Sequence, residues 1–257
     1  MSEVVEVTER AAVVRADNPG LMTLDGTNTW ILREPGAVRS VVVDPGPADD
    51  VHLDRVLQAA DGVGLVLFTH RHFDHTDAMR AIVGRTGAPA RATDPEFCID
   101  ADPLVDGEII DVDGFRLVVV GTPGHTADST CFRLHDEPSL LSGDTVLGRG
   151  TTIIAHPDGV LGPYLDSLAI LRELVEEGLV ERILPGHGPV IDQAGPVLDF
   201  YLEHRQERLD QVREALAAGA TDARSVVERV YTDVDESLWG AAELSVKAQL
   251  DYLRESR

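Results

Sequence analysis

Short aliphatic and β-branched runs dominate the first part of the chain, with Val4 to Val7, Ala11 to Arg15, Thr27 to Leu32 and Ser40 to Asp44 separated by Asn-Pro-Gly, Glu-Pro-Gly and Asp-Pro-Gly. That alternation of apolar runs and turn signals predicts a strand meander. From about Asp49 to Ala60 the spacing of Val51, Val56 and Leu57 among charged neighbours predicts a helix, and Leu65 to Thr69 reads as a buried strand. Asp77 to Arg85 returns to helical spacing, with Ala78, Ala81 and Ile82 on one side. A second series follows, with strands at Glu108 to Val112, Phe115 to Val120, Thr130 to Leu134 and Leu140 to Gly143, a helix from Tyr164 to Glu177, and a last strand at Arg182 to Leu184.

Strands followed by helix, twice over, predict an α+β fold in which two sheets pack face to face with helices outside. From Pro196 the pattern changes. Val197 to Ala218 reads as a long amphipathic helix, and Thr221 to Arg257 as two more, with Thr221 and Asp235 as caps. The expected organisation is therefore a catalytic-type domain over residues 1–195 and a helical subdomain over 196–257.

A chain of 257 residues with 43% apolar content can build a sizeable core. The acidic first twenty residues and the absence of a long apolar run argue against a leader peptide or a membrane span, so the cytoplasm is the expected compartment. The formal charge of −23, with Lys247 as the single lysine, opposes non-specific attraction to nucleic acid. Cys98 and Cys131 lie apart without a CxxC spacing and read as buried thiols, so any metal must be held by His and carboxylate.

Such ligands are concentrated at one place. His70, His72, Asp74 and His75 form an HxHxDH cluster directly after the strand ending near Thr69, in a chain with only nine histidines. His70 and His72, two apart at a strand end, project to one side, while Asp74 and His75 follow in a loop that folds back. Three further groups occupy equivalent places: His125 after Phe115 to Val120, Asp144 after Leu140 to Ser142, and His187 after Ile183, each flanked by glycine. Seven ligands exceed one tetrahedral ion and suit two ions sharing a carboxylate.

We assign His70, His72 and His125 to a first metal, Asp74, His75 and His187 to a second, and Asp144 as the bridge. A hydroxide held between two such ions is a nucleophile at neutral pH, and Asp74 is placed to orient it. Zinc is the expected ion, and iron or manganese accept the same donors. No GxSxG, GxxxxGK[ST] or HExxH motif competes with this chemistry.

HxHxDH followed by GTPGHT, SGD and PGHGP resembles the motif series of the metallo-β-lactamase-fold hydrolases over residues 1 to about 195. The resemblance implies an αβ/βα sandwich with the metals at one sheet edge. Lactamases of this fold carry cysteine or serine where Asp144 stands, so Asp144 places the chain nearer the glyoxalase II and nuclease members. "NPGLMTLDGTNTW", "SGDTVLGRGTT" and "YLEHRQER" are similar to the beta-lactamase-like protein 2 group, which includes a zinc-dependent endoribonuclease acting on single strands. That group carries a winged-helix-like C-terminal subdomain, and this chain ends at Arg257, before the β wing such a domain usually adds. Fungal relatives of similar appearance hydrolyse acyl thioesters on carrier proteins.

The resemblance also implies that His204 donates a proton to the leaving group or holds a substrate anion, and that Asn28, His156 and Tyr164 lie where active-site loops contact substrate. Trp30 and Trp239 are expected in the core. The expected activity is dinuclear-zinc hydrolysis of an ester, thioester or phosphodiester, on a small molecule or on single-stranded RNA. The rival is a non-catalytic metal-containing module that binds nucleic acid or protein. The oligomeric state is left open.

Overall fold

The computed structural model describes residues 4–232 and 235–255. The first half forms strands β1 (Val4–Glu6), β2 (Ala11–Arg15), β3 (Asn28–Leu32) and β4 (Ser40–Val43), then helix α1 (Asp50–Ala60) and strand β5 (Val63–Leu67). Helices α2 (Phe73–Thr76) and α3 (Met79–Thr86) and strand β6 (Ala90–Arg91) complete it. These strands make one six-stranded sheet in sequence order, antiparallel from β1 to β4 and parallel from β4 to β6.

Strands β7 (Ile109–Val112), β8 (Phe115–Gly121), β9 (Thr130–Leu134) and β10 (Ser139–Gly143) are antiparallel neighbours in a second sheet. After helix α4 (Leu161–Glu176), β11 (Arg182–Pro185) joins β10 in parallel. Parallel pairing at β4–β5 and β10–β11 follows from the crossover helices α1 and α4, since a parallel neighbour cannot be reached by a tight hairpin.

Strands β3, β4 and β10 are buried along their whole length, because both faces of each sheet are covered. Between the sheets, Trp30, Leu32, Val43 and Leu67 meet Leu117, Phe132, Leu141 and Leu184. Outside the first sheet Val42 and Val66 pack on Leu53 and Val56 of α1 and Ile82 of α3. Outside the second, Leu140 and Ile183 pack on Tyr164 and Leu168 of α4, and on Leu198 and Tyr201 of α5 (Ala194–Ala217). The result is the four-layered αβ/βα sandwich.

The far end of α5 packs with α6 (Ala223–Val230) and α7 (Trp239–Glu255), where Val212, Val226, Val227 and Val246 are fully buried. No strand follows β11 among the described residues. No helix among them is long and apolar enough to cross a membrane. Trp30 is a core residue, while Trp239 is only partly buried against the C-terminal cluster and has the Arg224 guanidinium over its ring.

Three local expectations change. Asp74 and His75 lie in the short helix α2 rather than a loop, and the following helix begins at Met79 rather than Asp77. Four residues are too few to leave a helical period in the sequence. Helix α6 is capped by Asp222, not Thr221: the Asp222 carboxylate accepts the Ser225 N–H and the Ser225 hydroxyl returns to the Asp222 backbone. Asp235 precedes a 3₁₀ turn, Glu236–Leu238, that leads into α7, and the expected end at Arg257 lies outside the described residues.

The cap assignment is open to measurement. Asp222→Ala should lower the thermal midpoint by about 2–4 °C, the usual size of a lost N-cap in a chain of this length, whereas Thr221→Ala should leave it nearly unchanged. Equal effects in calorimetry would contradict the hydrogen bonds described.

Candidate metal centre

All seven expected ligand residues converge at the edge where strands of both sheets end. His70 follows β5, His125 follows β8, Asp144 follows β10 and His187 follows β11. Their donor atoms form two groups, His70, His72, His125 and Asp144 in one and Asp74, His75 and His187 in the other. In the first, His72 Nδ1 lies 3.0 Å from His70 Nε2 and 3.1 Å from His125 Nε2. In the second, His75 Nε2 and His187 Nε2 are 3.2 Å apart, with Asp74 Oδ2 at 3.3 and 3.1 Å from them.

A carboxylate joins the two. Asp144 Oδ1 is 3.5 Å from His75 Nε2, and Oδ2 is 3.4 Å from His187 Nε2 and 3.9 Å from His125 Nε2. Ligands about 2.0–2.1 Å from a tetrahedral zinc ion stand roughly 3.3 Å from each other, so these separations match the edges of a coordination shell.

The ring nitrogens facing away from the cluster are committed to hydrogen bonds. His75 Nδ1 donates to Asp44 Oδ2 at 2.9 Å, His187 Nδ1 to the Gly26 carbonyl at 3.2 Å, and His125 Nδ1 to the Ile153 carbonyl at 2.9 Å. Thr69 Oγ1 donates to Asp44 Oδ2 at 2.7 Å and so accepts from His70 Nδ1 at 3.0 Å. With one nitrogen of each ring holding its proton there, the other presents a lone pair inward. Two lone pairs 3.2 Å apart repel unless a proton or a cation lies between them, and this is the feature of the donor set that fits a metal.

Electrostatics agree. Burial opposes charge on His187, but Asp144 and Asp74 outweigh it and push the imidazole up to about 9. Burial likewise opposes protonation of His75, and Asp44, Asp74 and Asp144 raise it well above its ordinary value. Burial would raise the Asp144 and Asp74 carboxyls, yet His187 and His75 hold both well below the usual carboxylate range. In the first group burial pushes His70, His72 and His125 down, so these rings are neutral and ready to ligate. His72 is the exposed member and marks the open side of the cleft.

The expected substrate residues are placed differently. Asn28 is buried and its amide donates to the carbonyls of Pro185 and Gly188, so it clasps the His187 turn. Tyr164 is fully buried, and its hydroxyl donates to the Thr145 carbonyl at 2.8 Å, under the turn that carries Asp144. His156 pairs with Asp251 of α7 at 3.2 Å. His204 stacks on Phe200 and makes no hydrogen bond to the cluster. Burial, with Arg205 and Arg208, pushes His204 down to about 4.

Sequence reasoning passed over Asp44, which is 1% exposed and also accepts the Thr69 N–H at 2.8 Å. Its signal was present, since "VVVDPGP" sets an acid between a buried strand and a glycine turn, as "LLSGD" does for Asp144. Thr27, whose hydroxyl donates to Asp74 Oδ2 at 3.0 Å, gave no comparable signal. Arg205 is buried, donates to the Thr152 carbonyl and lies over the Tyr164 ring, beneath the same turn.

Comparison with known proteins gives a consistent picture. Residues 22–187 match the family model described as the metallo-beta-lactamase superfamily, and residues 223–256 the beta-lactamase associated winged helix domain. The chain is 31% identical to a Drosophila melanogaster protein named beta-lactamase-like protein 2 homolog, over 97% of this chain and 89% of that one. It is 33% identical to an atrochrysone carboxyl ACP thioesterase of Aspergillus fumigatus, over 88% of this chain and 71% of that one. Among solved structures, a metallo-beta-lactamase family protein of Thermus thermophilus superposes with a TM-score of 0.80 at 21% identity, covering 97% and 94% of the two chains.

Two outcomes follow from this geometry. A Cβ on Gly186 would lie 2.5 Å from Asp144 Oδ1 and 2.9 Å from His75 Cε1, so Gly186→Ala should weaken metal affinity by roughly tenfold or more in chelator competition. The second concerns pH. A histidine whose folded pKa is raised from 6.5 to about 9 contributes stability that is complete below pH 6.5 and lost as pH rises through 9. Metal-free protein should therefore melt several degrees lower at about pH 9 than at pH 6.5, and metal-loaded protein, with no proton at His187, should not show that fall.

Proposed function

The chain belongs to the metallo-beta-lactamase superfamily, and from that premise we propose that it is a dinuclear zinc hydrolase whose substrate is an acyl thioester. The observation that carries this reading is the pair of inward Nε2 atoms of His75 and His187, 3.2 Å apart, with both outer nitrogens already donating. His70, His72 and His125 would hold one ion, Asp74, His75 and His187 the other, and Asp144 would reach both. Zinc suits this imidazole and carboxylate set, which iron or manganese also accept. When bound, such a pair lowers the pKa of coordinated water toward neutrality and polarises the carbonyl under attack.

The protein's own groups do the rest. Asp74 is ionised at neutral pH and has Oδ2 fixed by the Thr27 hydroxyl, so its carboxylate can accept a hydrogen bond from the attacking water and fix its direction. Asp44 keeps the His75 and His70 rings in one orientation. A covalent route finds no support: burial pushes the Cys131 thiol up to about 11, and no serine hydroxyl bonds a cluster imidazole among the described residues. Charge favours the thioester over RNA. At −23 overall, the protein repels a polyanion, whereas the carbon under attack in a thioester belongs to a neutral group. The thioesterase among the relatives points the same way. Location in the cytoplasm, the 1–195 and 196–257 division, and a small-molecule rather than macromolecular partner belong to the same proposal.

Metal-loaded protein should hydrolyse acyl thioesters of N-acetylcysteamine, whose thiol portion is uncharged, and leave a labelled single-stranded oligoribonucleotide intact. RNA cleavage without thioester turnover would reject the substrate, and two bound ions with neither activity would favour the non-catalytic module. Asp74→Ala should lower kcat at least a hundredfold, roughly the scale of a lost proton-handling or metal-holding group. Asp144→Ala should reduce occupancy of both ions, and full activity with two ions retained would refute the bridge.

A further inference from the structure

Arg71 stands between His70 and His72, yet it points to neither. Its Nε lies 3.2 Å from Asp128 Oδ1 and its terminal nitrogen donates to Asp158 Oδ1 at 2.7 Å. Asp128 is three residues beyond His125 and only 6% exposed, and burial pushes its carboxyl upward against the pull of Thr126 and Arg71. Asp158 belongs to the segment that runs from Ile153, whose carbonyl accepts from His125 Nδ1, and it also takes the Ala127 N–H at 3.4 Å. The loop carrying two histidines is thereby fastened to both segments that fix the third.

The fastening continues outward. On the same segment His156 pairs with Asp251 of α7 at 3.2 Å, and its backbone N–H reaches the Leu244 carbonyl at 3.4 Å. A path of charged and hydrogen-bonded contacts thus runs from the C-terminal helix through residues 153–158 and Arg71 to the first histidine group.

We propose that Arg71 is a positioning residue: its bridge to Asp128 and Asp158 sets His70, His72 and His125 in register and ties that register to α7. The inference rests on the metal reading given above. An exposed ion pair contributes little, but Asp128 is buried, and removing its cation leaves a carboxylate that must take up a proton or move. The planar guanidinium can serve two carboxylates at once, which a lysine ammonium on a flexible stem cannot reproduce. Displacement of ligands by such a loss is expected at the first group alone, since Asp74, His75 and His187 are held by Thr27, Asp44 and Gly26 instead.

The test is stepwise titration of metal-free protein with zinc against a chromophoric chelator, and the visible absorption of the cobalt-loaded form, for wild type, Arg71→Gln, Arg71→Lys, Asp158→Asn and Asp251→Asn. Wild type should take up two ions. Arg71→Gln should weaken one step roughly ten- to a hundredfold, with a changed cobalt band, and leave the other step as it was. Arg71→Lys should recover part of the loss, and Asp251→Asn should shift the same step by less. If Arg71→Gln fails to fold, Arg71→Lys and Asp158→Asn, which keep a cation beside Asp128, should still weaken that one step. Unaltered affinities and cobalt spectra in these variants would overturn the inference, as would an equal loss at both steps with a lowered melting temperature. A wild type that takes up no ion removes the metal reading and this inference together, whereas a loaded wild type with unaffected variants removes this inference alone.

Discussion

Seven donor atoms pointing at one another from both sheets are an unfavourable arrangement unless positive charge sits among them. Five neutral imidazoles would crowd their lone pairs together, and two carboxylates add negative charge in a largely buried place. Protons on His187 and His75 relieve part of this, which is why those rings hold protons so firmly. A divalent cation relieves more, because it meets several lone pairs at once. The outer hydrogen bonds to Asp44, Gly26, Ile153 and Thr69 matter for the same reason, since a ring free to turn would put a hydrogen inward and escape the conflict.

The sandwich supplies the rigidity such convergence needs. Asp44 and His70 follow the parallel pair β4 and β5, and Asp144 and His187 follow the parallel pair β10 and β11, so four of the groups leave matching ends of the two sheets. At that edge the sheets are also joined directly. The Asn28 N–H donates to the Gly186 carbonyl, the Asn28 amide to Pro185 and Gly188, and the Trp30 indole to Pro185. Gly143 and Gly186 allow the last close approach: a Cβ on Gly143, at φ +48°, would lie 2.5 Å from Thr69 Oγ1. Packing between the sheets sets their distance, and these few hydrogen bonds set their register beside the candidate metal centre.

The order of strands and helices and the seven converging residues were readable from the chain because each leaves a local trace: a buried run, a glycine turn, a histidine or aspartate just beyond. Asp44 leaves the same trace, but within Asp-Pro-Gly it reads as part of a turn. Asn28 and Tyr164 were read as substrate residues because they stand in segments close to the site. Their side chains instead satisfy buried carbonyls, a role set by partners more than a hundred residues away for Asn28 and nineteen for Tyr164. Arg71 shows the same limit. Inside HxHxDH it reads as a spacer, and only the fold brings Asp128 and Asp158 to it.

The arginines around the centre bear on what can enter it. A phosphodiester backbone needs cations free to approach its oxygens. Arg71 faces two carboxylates, Arg149 is paired with Asp25, and Arg205 is buried against the Thr152 carbonyl. None of these guanidiniums is offered to the cleft as an unpaired charge, so under the proposed function the attraction there would come from the bound ions, acting over a few ångströms. Such ions would polarise a single carbonyl brought into contact, but they would offer no track along which a chain of phosphates is drawn. An acidic surface and committed arginines therefore support the proposed kind of substrate, one that is neutral where it reacts and reaches the site by fit rather than by long-range charge.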